Sequence, residues 1–80
     1  MRSLVLYSRP ECHLCESMVA DLEPLLRASG AQLTVVDVDS SPDLVRRYGL
    51  RIPVLVAGDV ELSEYPLDRD CVARYLESEK

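Results

Sequence analysis

Two cysteines, Cys12 and Cys15, stand two residues apart in an 80-residue chain, inside the stretch YSRPECHLCESM at residues 7–18. Such a pair can be a structural staple, part of a metal clip, or a dithiol that makes and breaks its own bond. The staple is the weakest reading. A disulfide stabilises mainly by restricting the unfolded chain, and the gain shrinks with the loop it closes. A third cysteine, Cys71, leaves an odd count, which cannot form a closed disulfide framework. For a metal, Cys12, His13 and Cys15 offer three soft ligands, but structural zinc takes four, often from two knuckles far apart in sequence. His13 is the one histidine and Cys71 stands alone. No mononuclear metal site is therefore assigned, while a cluster bridged by two copies stays open. The redox reading needs one exposed sulfur to attack and one sheltered sulfur to resolve. A Cys-x-x-Cys beside a strand–helix–strand pattern in an intracellular chain points to that chemistry.

The elements that must position the pair follow from periodicity. Residues 3–8 form a continuous apolar run ended by Arg9-Pro10, as suits a strand covered on both faces. From Leu14 the period becomes helical, with Leu14, Met18, Leu22, Leu25 and Leu26 recurring. Pro24 should kink or restart this helix, and Gly30 should end it. Strand character returns over 32–38. Ser41 then caps a short helix with Pro42 at its first position, apolar at Leu44, Val45 and Tyr48 and closed by Gly49. Val54–Ala57 and Val60–Ser63 flank Gly58-Asp59, a two-residue hairpin signal. A last helix is expected after Asp68, with Leu67 and Val72 as its hydrophobic staple and Cys71, Tyr75 and Leu76 facing inward. The order is β-α-β-α-β-β-α. A four-stranded mixed sheet flanked by three helices, in one domain over residues 1–80, closes it most simply.

Cys12 falls between the first strand and the first helix, where ligand sites of α/β folds form. The helix-start amides and dipole favour its thiolate, the dipole contributing about 0.3–1 kcal/mol. Arg9 and His13 assist; Glu11 and Glu16 oppose, so a moderately lowered thiol pKa is expected. Cys15, one turn in, should be the buried partner. Cys71 reads as a small core residue, His13 as a solvated residue tuning the thiol, and Tyr7 as a residue lining the site. Pro53, opening a strand, suits a strand start.

Composition narrows the partners. A net charge of −5 opposes nucleic acids and anionic lipid surfaces. The apolar run at 3–8 is too short for a signal-peptide core or a membrane span, so a soluble, cytoplasmic chain is expected.

With the strand Leu4–Tyr7, the motif Arg9-Pro-Glu-Cys12-His-Leu-Cys15, the step Ile52-Pro53-Val54 and the Gly58 hairpin in view, the chain resembles the glutaredoxin-like group of the thioredoxin-fold superfamily. The resemblance spans nearly the whole chain. It implies a monomeric thiol-disulfide oxidoreductase with Cys12 as nucleophile and Cys15 as resolving thiol. It also implies Arg9 at the position of a lysine that contacts the carboxylate of glutathione. A cis Ile52–Pro53 peptide would face the dithiol, with Ile52 backbone groups offered to a bound peptide or to glutathione as an added strand. No tightly bound cofactor is implied, glutathione being a co-substrate. The partners implied are a disulfide-containing protein or glutathione, and a cellular reductant. Where glutaredoxins carry two glycines and an Asp, this chain reads Leu62–Asp68 without the glycine pair, and Glu61 and Glu64 are expected to repel an anionic tripeptide. The competing class is a non-catalytic binding module or a metal or iron–sulfur carrier.

Overall fold

A computed structural model describes residues 3–78. In chain order the elements are β1 (Ser3–Ser8), α1 (His13–Ser29), β2 (Gln32–Asp37), a 3-10 turn (Val38–Ser40), α2 (Pro42–Tyr48), β3 (Val54–Ala57), β4 (Val60–Glu64) and α3 (Arg69–Ser78). The sheet runs β2-β1-β3-β4, with β1 and β2 parallel and the other pairings antiparallel. This is the expected four-stranded mixed sheet with three helices, the thioredoxin fold.

The period-2 alternation of β1 builds both faces. Leu4 and Leu6 point to α1 and α3, meeting Met18, Leu22, Leu55, Leu62, Val72 and Leu76 in the larger core. Tyr7 points the other way, against α2, where Val38, Tyr48, Val54 and Val56 form a second cluster. Tyr7 and Tyr48 stack with ring centroids 4.3 Å apart.

Helix ends follow their local chemistry. Gly30 takes φ +74°, and its N–H closes α1 on the Leu26 carbonyl at 2.9 Å. Ser41 Oγ accepts from the Asp43 N–H, with Pro42 opening α2. Asp68 Oδ1 accepts from the Cys71 N–H at the start of α3, and Leu67 and Val72 pack on the same core. The hairpin turns at Gly58-Asp59, with Gly58 at φ +60°.

Three expectations are corrected. α1 passes through Pro24 without a restart. An interior proline costs about 3 kcal/mol. Met18 and Leu22 on the same helix are fully buried, each contributing about 1.5–3 kcal/mol, and their packing outweighs the loss. Leu14 is 48% exposed, and the buried stripe of α1 starts at Cys15. Strand β2 stops at Asp37, because Val38 turns into the second cluster and Asp37 accepts the Asp39 N–H at 2.9 Å.

The hairpin carries a bulge that the sequence did not announce. Leu55 pairs with Ser63 but Val56 with Glu61, so Leu62 is the extra residue. Three positions apart on a regular strand, Glu61 and Glu64 would face opposite sides. The bulge restores them to one side, and both carboxylates reach the Arg51 guanidinium.

Candidate active site

β1 delivers the chain to Ser8, and a four-residue loop, residues 9–12, carries it to the helix. Glu11 in that loop adopts φ +59°, a left-handed conformation costing a side-chain-bearing residue about 1–2 kcal/mol. The turn leaves Cys12 in extended geometry as the N-cap of α1. The Cys12 carbonyl accepts from the Glu16 N–H at 3.1 Å, and Cys12 Sγ accepts from the Cys15 N–H at 3.2 Å. The sulfur thus does the work that a serine or aspartate oxygen does at other helix starts.

Cys12 and Cys15 are joined as a disulfide, their Cα atoms 5.2 Å apart. Cys15 is 5% exposed and Cys12 half-buried. A cleft of about 340 Å³ opens beside them, and Arg9 lines it together with both cysteines. Ile52 and Pro53 do not line it. The Ile52–Pro53 peptide is cis, Pro53 is buried, and Ile52 packs on the second cluster. Since Val54 pairs with Tyr7, Pro53 enters the sheet beside the end of β1. The Tyr65–Pro66 peptide is cis as well.

Arg9 is engaged within the protein. Its Nε lies 3.1 Å from both Asp39 carboxylate oxygens, and its Nη1 donates to the Gly49 carbonyl at 3.1 Å. His13 is exposed. Tyr7 belongs to the opposite face of the sheet, not to the dithiol cleft, as the alternation along β1 would have indicated. Cys71 is a free, half-buried thiol packed on the larger core. Among the described residues no group of three His, Cys, Asp or Glu side chains is arranged to hold a metal ion.

Glu61 and Glu64 do not stand free against an incoming ligand. Arg51 bonds both, which holds the Glu61 carboxyl below its ordinary value and raises the guanidinium further. Arg51 also lies over the Tyr48 ring, 5.9 Å from its centroid.

One residue at the site escaped the reading of the sequence. Ser8 is 6% exposed, lines the cleft beside Cys12 and Cys15 and has no side-chain hydrogen bond among the described residues. The signal was available: Leu4, Leu6 and Ser8 share one register, so a hydroxyl occupies a core-facing position.

The comparisons agree with this architecture. The family model described as "Glutaredoxin-like domain (DUF836)" matches residues 3–77. Protein Ne2328 from Nitrosomonas europaea, solved by NMR, is 45% identical over 92% of this chain and 89% of its own, with a TM-score of 0.85. Protein XcR50 from X. campestris, solved by X-ray, is 34% identical over 94% of this chain and 96% of its own, with a TM-score of 0.68. A buckwheat glutaredoxin–glutathione complex shares the fold at 20% identity, covering 95% of this chain and 76% of its own, with a TM-score of 0.55. A search of curated proteins gave no match. With a family match over almost its full length and a Cys12–Cys15 pair at the head of α1, the chain belongs to the glutaredoxin-like domain family of thioredoxin-fold proteins.

Proposed function

We propose that the chain is a thiol-disulfide oxidoreductase in which Cys12 attacks and Cys15 resolves. One observation carries the reading: the half-buried Cys12 sulfur is the N-cap acceptor of α1, with the buried Cys15 amide donating to it. That hydrogen bond and the positive end of a 17-residue helix both favour a sulfur anion.

In the forward direction the Cys12 thiolate attacks one sulfur of a substrate disulfide. A mixed disulfide forms, the substrate bond breaks, and the departing thiolate takes a proton from water. The Cys15 thiol loses its proton and attacks Cys12 Sγ. The mixed disulfide breaks, the second substrate thiolate leaves, and the Cys12–Cys15 bond forms. Two electrons pass from the dithiol to the substrate. A thiol reductant, glutathione or a protein dithiol, returns them. Ile52 backbone groups at the mouth of the sheet are the candidate docking edge for a substrate strand.

Reduction of a test disulfide by the wild type and its Cys12→Ser and Cys15→Ser variants tests this. Cys12→Ser is expected to lose all activity, while Cys15→Ser forms mixed disulfides that cannot resolve intramolecularly. Full activity in Cys12→Ser would refute the reading. Recycling by glutathione against recycling by a thioredoxin reductase system identifies the reductant.

A further inference from the structure

The dithiol cleft is acidic at its rim and aliphatic on its wall. Leu6, Ser8 and Cys15 are buried at its floor. Val19 is half-buried and Val35, on the edge strand β2, is 54% exposed along the wall. Glu11, Glu16 and Asp37 are exposed around the opening. Among the described residues Arg9 is the one basic residue lining the cleft, and its charge is already met by Asp39. Glu11 and Glu16 have no ion-pair partner among the described residues. Asp37 spends one oxygen on the Asp39 N–H and keeps the other.

We propose that this cleft binds a lysine or arginine side chain and so selects disulfides flanked by a basic residue. The selection part rests on the oxidoreductase reading above. A cleft of about 340 Å³ sits at the small end of ligand sites, roughly 300–1,000 Å³, and suits one long side chain better than a folded element. The methylene stem of a basic side chain would lie along Val19 and Val35, with its charged head among the carboxylates. The Ser8 hydroxyl is a second, independent feature. It is more than nine-tenths buried, has no hydrogen-bond partner among the described residues, and lines the same cleft. A buried polar group of this kind is satisfied by what enters the cleft, water or ligand. Disulfides carrying carboxylates meet the same rim with the opposite sign, so glutathione disulfide is a poor fit.

The test compares three small disulfides at the reduced protein: cystamine with two ammonium groups, neutral hydroxyethyl disulfide, and dithiodipropionate with two carboxylates. At about 10 mM ionic strength cystamine should react about tenfold faster than dithiodipropionate, and the ratio should shrink toward the uncatalysed ratio at about 1 M. All rates are read relative to the neutral disulfide, so a change in Cys12 nucleophilicity cancels. The double variant Glu11→Gln with Glu16→Gln should lose most of the cationic preference, while Glu23→Gln, which lies outside the cleft, should keep it. A parallel NMR titration of the oxidised protein uses Nα-acetyl-lysine amide and its neutral Nζ-acetylated form. Only the cation should shift Val19, Val35 and Glu16 amides. Turnover without charge preference, or equal shifts with both amides, overturns the inference and leaves the oxidoreductase reading intact. Selective binding of the cation with no turnover of any disulfide keeps the basic side-chain site, overturns the selection of disulfides and refutes the oxidoreductase reading.

Discussion

Arg9 and Asp39, thirty residues apart in sequence, are locked together, with Arg9 Nε 3.1 Å from both oxygens of the carboxylate. The same guanidinium reaches the Gly49 carbonyl through Nη1. One side chain therefore ties the loop before the dithiol to the 3-10 turn and to the end of α2. Gly49 leaves room for it: a Cβ there would stand 3.3 Å from Arg9 Nη2 and 2.5 Å from the Val45 carbonyl oxygen.

A structural clamp and a substrate anchor make different demands on Arg9. As a clamp, Arg9→Ala should cost about 1 kcal/mol, since the pair is part-exposed but adds a bond to a backbone carbonyl. In a domain of this size that lowers Tm by about 4–8 °C. Arg9→Lys should not restore it, because an ammonium cannot copy the planar fork that spans Asp39 and Gly49. Thermal melts of both variants check this. If Arg9 instead held a substrate carboxylate, Arg9→Lys would preserve KM and Arg9→Ala would raise it with Tm unchanged.

The two cysteines of the candidate site should titrate apart. In the reduced protein Cys12 is expected to alkylate with a midpoint below the ordinary thiol value of about 8.5, through the Cys15 amide and the helix start. Cys15, buried, should alkylate more slowly. Iodoacetamide rates against pH, with mass spectrometry to place the adduct, measure both. An outer thiol ionising like a free cysteine would remove the electrostatic basis of the proposed mechanism.

Acid should weaken the hairpin through Glu61. Its carboxyl is held below the ordinary value of 4.5 by the Arg51 hydrogen bond, so the unfolded chain binds protons first as pH falls. The sign follows: the stabilisation is fully present above about pH 4.5 and fades as pH drops through the lowered value. Urea midpoints measured against pH should therefore fall on the acid side, and Glu61→Gln should flatten that slope while leaving the rest of the profile in place. An unchanged slope would show that the clamp contributes nothing in solution.

What could be read from the sequence was local. The change from strand period to helix period falls at the cysteines, so their placement at a helix start was legible. Ser41, Asp68 and the Gly58-Asp59 turn act within a few residues of themselves, and each was legible too. The ion pairs were not. Arg9 meets Asp39 only because β1 and β2 run parallel in register, which brings their ends together. Arg51 meets both Glu61 and Glu64 only because an unannounced bulge turns them to one face. Leu14 misled because a helix turns about 100° per residue, so the stripe through Leu14 and the one through Cys15 differ by a single position. Ser8 and Tyr7 were legible in principle, since alternation from Leu4 assigns Ser8 to the floor of the cleft and Tyr7 to the opposite face.

The loop that presents Cys12 carries its own strain, and this can be measured. Glu11 holds φ +59°, a conformation glycine adopts without penalty. Glu11→Gly removes a strain of about 1–2 kcal/mol but restores freedom to the unfolded chain, roughly 0.5–1 kcal/mol. A net gain of about 0.5–1 kcal/mol, a few degrees in Tm, is expected. Removing the carboxylate could mimic part of this, so Glu11→Ala is the necessary control: it deletes the charge and keeps the strain. Glu11→Gly should exceed Glu11→Ala in stability by about 0.5–1 kcal/mol. Equal stabilities would mean that the turn relaxes in solution, and the Cys12 amide geometry would then have to be held by α1 alone.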